Sequence, residues 1–298
     1  MAPVMSSGPA FGNRTPGAIE AVAASASPSG NRRPRRITWG RLGSWIVFLV
    51  GATYFLLPLL ATLLFSLRLN PFGRAYENVL VRDVQFIRTL TYSAVVGVLT
   101  IVISILIIVP TAFWVRLKLP RARPYVEFVT LLPFVIPPII LVFGLLRGFA
   151  GPPLPLTGTG QGLDILLVAA YVILSFPYMY RAVDAGLRGI DVRTLTEAAQ
   201  SMGAGWTRIL WAVILPNLRV ALLSGAFLTL AIVIGEYTIA SFMVRPAFGP
   251  YLSQLGRDKA FEPAAVSIIS FGLTWLAMGV IALLGRGSRQ SVQVVGAR

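Results

Sequence analysis

The chain has 298 residues, of which 56% are hydrophobic and only 12% charged, and its mean hydropathy is +0.76. A soluble domain carries about a quarter charged residues, so these figures exclude an ordinary soluble or disordered protein and leave one that crosses a membrane several times. There is no Cys and no His. Disulfides, thiol nucleophiles, histidine bases and nearly every zinc site are thereby excluded. The formal net charge is +15. In a membrane chain the first explanation is basic cytoplasmic loops, not nucleic acid.

In chain order, the first 36 residues are rich in Ser, Pro, Gly, Ala and Arg, with Glu20 as the only acid. No apolar core of a cleavable signal occurs before Ser44. A disordered basic cytoplasmic tail over 1–43 is expected, with an organellar transit peptide as the alternative of similar composition. Apolar runs follow at Ser44–Ser66, Thr89–Val115, Phe128–Leu146 and Pro263–Gly285. Each is close to the roughly 20 residues that cross a bilayer as a helix. Ile165–Tyr180 is shorter, with Asp164 and Arg181 at its ends, and Val220–Val244 is interrupted once, by Glu236. The expectation is an all-α membrane protein of six transmembrane helices over 44–286, because lipid offers the backbone no hydrogen-bond partners. A short cytoplasmic tail, 287–298, closes the chain.

Placing the N-terminus inside puts most of the 26 basic residues in cytoplasmic segments. Both termini are therefore expected to be cytoplasmic. Arg68, Arg74, Arg82 and Arg88 in the first outer loop run against that bias. Prolines fall in several spans, at 58, 110 and 177, and crowd at Pro133, Pro137 and Pro138, where a kink is expected in the third span.

The connection at about 182–216, between the fourth and fifth spans, is neither Gly/Ser-rich nor a run of charge. Thr194 and Glu197 have the spacing of a capping box. Leu195, Ala198, Ala199 and Met202 follow at i, i+3, i+4 and i+7, the spacing of one helix face. Gly203 suits a left-handed stop. Trp206, Ile209, Leu210 and Val213 repeat the spacing in a second short helix, and Pro216 suits the start of the next. Helices this short are marginal alone in water. Their apolar stripe needs a cover: their own bundle, the lipid surface or another protein.

Glu197-Ala198-Ala199, Gly203 and Val213-Ile214-Leu215-Pro216 together resemble the EAA motif of the membrane subunits of binding-protein-dependent ATP-binding-cassette importers. Val213 stands where the family pattern has Ile. The layout from Ser44 to Gly285 is similar to that family, and the leading 36 residues lie outside the likeness. The resemblance implies a coupling helix, with Leu195, Glu197, Ala198, Ala199, Met202 and Gly203 at the contact with a separate ATPase dimer. It also implies a second permease, homologous or a further copy of this chain, an extracytoplasmic solute-binding protein, and a bacterial inner-membrane location. No Gly-x4-Gly-Lys-Ser/Thr phosphate loop occurs. ATP and magnesium are therefore expected on the partner and no cofactor in this chain. The glycines of 158–162 read as a flexible outer loop.

Glu236 is expected late in the fifth helix. An ionisable group inside a membrane is a functional-site hypothesis by default. One reading places it beside Tyr237, Thr238 and Ser241 on the translocation pathway, where an anionic wall favours a cationic solute. The other has it bonded to a backbone amide or a partner subunit. The segment is most similar to permeases of the polyamine, ferric-iron and aminoethylphosphonate group, with polyamine foremost. An intramembrane enzyme is disfavoured, since the chain lacks His and Glu236 has no second carboxylate. A stand-alone secondary transporter or channel remains the alternative; it leaves the two-helix loop unexplained.

Overall fold

The computed structural model describes residues 39–69 and 71–286, so residues 1–38 of the tail expected over 1–43 and the end of the chain from 287 lie outside the described residues, while residues 39–43, expected in that tail, are helical. The described residues divide into two compact units between Phe55 and Leu56. Among the described residues every regular element is helical. The first helix, α1, is Trp39–Ser66. Its Gly43–Ser66 stretch is apolar along its whole length and none of its membrane-length window is buried by protein, as befits a lipid-facing rod.

Helices α2 (Val84–Leu117), α5 (Gly160–Arg188) and α7 (Arg219–Gly235) form the core of the second unit. Residues near the start of α2 meet those near the start of α5, as in the Tyr92–Asp164 hydrogen bond of 2.5 Å. Ser104 and Ser175 share a buried hydrogen bond of 2.7 Å midway. Arg116 lies 3.9 Å from Asp184 near both C-termini. The two helices therefore run parallel. α7 runs against them: its N-cap Leu218 and early residue Ala221 face Gly186, and its late residue Val233 faces Gly97. Without a hydrophobic drive between helices in lipid, small residues at the crossings let backbones approach and gain dispersion. A Cβ on Gly225 would meet the Met179 sulfur at 2.8 Å, and one on Gly186 would meet the Ala221 Cβ at 2.6 Å.

Among the described residues three helices, α2, α5 and the Gly43–Ser66 part of α1, are long and apolar enough to cross a membrane, and the number is up to five when each of two bent pairs is counted as one span. The expected sixth span falls on α10, Glu262–Arg286. The third expected span is broken. α3 (Arg123–Val135) and α4 (Pro138–Gly148) meet at 97°. Pro137 and Pro138 remove two consecutive amide donors and hold Ile136 extended, at φ −85° and ψ 116°. Single prolines do less: α1, α2 and α5 continue through Pro58, Pro110 and Pro177.

The fifth expected span is not continuous either. α7 ends at Gly235, Glu236 is extended, and a five-residue helix, α8 (Thr238–Phe242), follows. An amphipathic helix, α9 (Phe248–Asp258), then leads to α10. The glycine stretch 158–162 is only partly a loop, because α5 begins at Gly160 with the Thr159 side chain accepting from the Gly162 amide.

Gly186→Leu is expected to destabilise the folded chain by about 1–3 kcal/mol, the usual effect of overpacking a close contact. Thermal unfolding in detergent measures it, and an unchanged midpoint would show that the α5–α7 crossing can relax.

Candidate functional site

The connection between α5 and α7 holds the motif residues. Its first helix, α6, is Val192–Ser201. The N-cap is Asp191, not Thr194: the Asp191 carboxylate accepts from the Thr194 amide at 3.1 Å and from its hydroxyl at 2.7 Å. These bonds hold the Asp191 carboxyl below its ordinary pKa. Glu197 therefore lies in the second turn and makes no capping box. It pairs with Arg193 one turn earlier, at 2.8 Å, on an exposed surface.

Moving the cap three residues back also moves the stripe. Val192, Leu195, Thr196 and Ala199 turn toward the bundle, whereas Ala198 and Met202 face outward, Met202 with 81% of its surface exposed. The buried Thr196 hydroxyl is satisfied by the Val192 carbonyl at 2.7 Å. The expected face Leu195–Ala198–Ala199–Met202 is thus divided between two surfaces. Leu195 and Ala199 anchor the helix to a core that includes Phe113, Met179, Val183, Ile209 and Ile214. Glu197, Ala198 and Met202 are left outside.

Gly203 adopts φ +80°, the left-handed conformation expected of it. The Gly203 amide donates to Gln200 at 2.8 Å and the Ala204 amide to Ala199 at 3.0 Å, the paired bonds of a Schellman stop. The return segment Trp206–Asn217 is not one regular helix. Residues Ile209–Ile214 are wound as a π-helix, and the segment meets α7 at 78°. Pro216 has no amide to give, and the Asn217 side chain donates to the Val213 carbonyl at 2.7 Å. The Lys118 ammonium sits 4.8 Å and 4.4 Å from the ring centroids of Trp114 and Trp206, tying the end of α2 to this segment.

The break at Glu236 is the second feature. Oε1 accepts from the Ile239 amide at 2.8 Å. Oε2 accepts from the Ala240 amide at 3.2 Å and the Tyr171 hydroxyl at 3.0 Å. Glu236 is therefore the acceptor for the first free amides of α8, and does not sit within a continuous helix as expected. A Cβ on Gly249 would meet the Glu236 carbonyl oxygen at 2.2 Å, so only glycine lets α9 approach the break. Of the expected pathway residues, Tyr237 lines a largely apolar cavity of 610 Å³ between α7, α9 and α10, with Phe227, Leu252 and Ser270 among its walls; Glu236, Thr238 and Ser241 do not.

Two ionic clusters escaped the sequence reading because their members are far apart in the chain. Arg245 pairs with Asp164 at 2.7 Å at one end of the bundle. At the other end Asp184 accepts from Arg123 at 3.0 Å and from Arg188 one turn on. Among the described residues, no group of three His, Cys, Asp or Glu could hold a metal ion.

Residues 98–289 match the family of binding-protein-dependent transport system inner membrane components. The chain belongs to that family. A probable molybdenum ABC transporter permease protein of Haloferax volcanii is 30% identical over 276 residues, 85% of this chain and 94% of the relative. The Escherichia coli K12 molybdenum transport system permease protein is 33% identical over 132 residues, 41% of this chain and 56% of that protein. The Haemophilus influenzae spermidine/putrescine transport system permease protein is 25% identical over 236 residues, 72% and 79% of the two chains. In fold, the chain is similar to a chain of a bacterial ABC transporter that imports the acidic polysaccharide alginate, with a TM-score of 0.62 at 16% identity, covering 86% of this chain and 96% of that one. This is an ABC importer permease subunit. It is a transport component and not an enzyme, and the ATPase is a separate chain.

The cap of α6 carries a pH dependence. Asp191 has a depressed pKa when folded, so its contribution is present above the ordinary carboxylate pKa and lost as pH falls through the depressed one. Protection of the Thr194 amide, the slowing of its exchange relative to that of an unprotected amide at the same pH, is expected to fall over that acid range. In Asp191→Asn that acid-dependent loss of protection should disappear; an identical profile in wild type and variant would remove the cap from the explanation.

Proposed function

We propose that this chain is one of two membrane subunits of an ATP-driven importer. It crosses the cell membrane six times, keeps both ends in the cytoplasm, and receives solute from an extracytoplasmic binding protein. The observation that carries the reading is the two-faced α6. Its inward side is sealed to the bundle, and Arg193, Glu197, Ala198 and Met202 form an outward surface on the side expected to be cytoplasmic. A helix built this way moves with the bundle when its outer face is displaced. It is suited to pass the closure of an ATPase dimer, with ATP and magnesium bound there, into the membrane helices. The exposed charge pair sets orientation at such a contact more than affinity.

For the cargo, the Haloferax volcanii relative, 30% identical over 276 residues, is named for molybdenum, while the polyamine relative is 25% identical over 236. Glu236 favours the same choice. Both of its oxygens are already engaged by amides and a hydroxyl, which leaves little of its charge for a polyamine or a ferric ion. We therefore infer a small oxyanion of the molybdate class. Glu236 acts on the pathway by shaping the turn at Tyr237, Thr238 and Ser241.

The test is uptake into proteoliposomes that hold the permease pair, its ATPase and its binding protein. ATP-dependent accumulation of molybdate but not spermidine is expected. Spermidine uptake would overturn the cargo, and no ATP-dependent uptake of any solute would overturn the importer reading. In the same complex, Glu197→Arg is expected to reduce co-purification of the ATPase severalfold without changing membrane insertion; normal recovery would take Glu197 out of the contact. Glu236→Ala leaves two amides without their acceptor and is expected to lower stability by about 1–3 kcal/mol, read as an earlier unfolding midpoint in detergent.

A further inference from the structure

The Asp184 cluster stands apart from the motif and from the Glu236 break. The Asp184 side chain is 12% exposed and faces three guanidinium groups. Arg116 comes from the last turn of α2, Arg123 from the first turn of α3, and Arg188 from the last turn of α5. Glu127 takes the second side of Arg123 at 2.8 Å. One carboxylate thus joins three helix ends, and Asp191, the cap of α6, lies two turns beyond it in sequence.

Apart from the cluster, α3 meets the bundle along a narrow strip, with Val126 packed against the core. Thr130 is its one buried residue, and Tyr125, Phe128, Val129, Phe134 and Val135 remain exposed. Beyond the cluster, Phe134 touches Tyr178 with ring centroids 5.3 Å apart. α3 leads through the 97° bend into α4, where Phe143 packs on Phe242 of α8 at 5.0 Å. α6 packs through Leu195 and Ala199 on the core that holds Val183 and Leu187 of α5, Asp184 of α5 pairs with Arg123 of α3, the chain carries α3 into α4, and α4 meets the short helix that Glu236 caps through Phe143 and Phe242.

We propose that Asp184 is the positioning residue that locks α3 to the end of α5, so that displacement of α6 is transmitted to the bent α3–α4 pair and onward to α8. The proposal rests on the importer reading above. Without Asp184 the three arginines face one another around a single acid, Glu127, and their repulsion pushes α3 away from α5. Binding and hydrolysis of ATP on the partner then continue without moving the far end of the bundle.

The experiment uses the assembled complex in proteoliposomes and reads two quantities: ATP hydrolysis stimulated by loaded binding protein, and solute taken up per ATP hydrolysed. In Asp184→Asn, uptake per ATP is expected to fall about tenfold, within the range of ordinary coupling energies, while stimulated hydrolysis persists. Asp184→Glu, which keeps the charge, is expected to recover most of the ratio. An unchanged ratio in Asp184→Asn would overturn the proposal. Should that variant not assemble, Asp184→Asn combined with Arg123→Gln and Arg188→Gln removes the repulsion; it is expected to assemble and stay uncoupled, and normal coupling in it would overturn the lock. Absence of stimulated hydrolysis in the wild-type complex would instead count against the importer reading itself.

Discussion

A backbone amide without a partner in hydrocarbon is destabilising by several kcal/mol, and the fold depends on how each interruption of a helix answers that demand. At Pro137 and Pro138 the difficulty is reduced at its source, because the residues that break the helix carry no amide. At Pro216 the nearby Val213 carbonyl is taken up by the Asn217 side chain. At Gly235–Glu236 the chain supplies an acceptor: the Glu236 carboxylate takes the Ile239 and Ala240 amides together with the Tyr171 hydroxyl. A transport protein needs bends in its spans, and here each bend has an identifiable local means of satisfying the backbone.

The same demand explains why Glu236 is no sign of a cationic cargo. An acid in a membrane segment is expensive unless its charge is engaged, and in this chain it is engaged by the chain itself. It accepts the free amides at the point where α7 gives way to α8, beside Tyr237 and the close approach of Gly249. The exposed pair Arg193–Glu197 is the opposite case. Its charges are solvated, add little to folding, and are available to a partner.

Much of this architecture was legible in the sequence. Composition alone placed the chain in a membrane. The apolar runs located α1, α2 and α10, because a long uncharged stretch has few alternatives to a helix in lipid. The crowding of Pro133, Pro137 and Pro138 announced the broken α3–α4 pair, since consecutive prolines act through covalent geometry. Glu197, Ala198, Ala199 and Gly203 marked the connection and the family. Gly203 met its expected conformation because a left-handed stop is a local requirement.

Other features were decided only in three dimensions. Whether Asp191 or Thr194 capped α6 depended on which offset let Val192, Thr196 and Ala199 meet the bundle, and helical spacing by itself allows both. The direction of the Glu236 carboxylate depended on Tyr171, more than sixty residues earlier in the chain. Asp184, Arg116 and Arg123 are unremarkable in sequence, and only the parallel packing of α2 and α5 brings them together. The sequence by itself determined solvent, helical content, the proline break in the third span and the family, because those follow from hydropathy, from proline and glycine geometry and from a short motif; the break at Glu236 it did not determine. The tertiary structure decided which charges meet and which face of α6 is free, because such contacts arise between distant segments and no local periodicity encodes them.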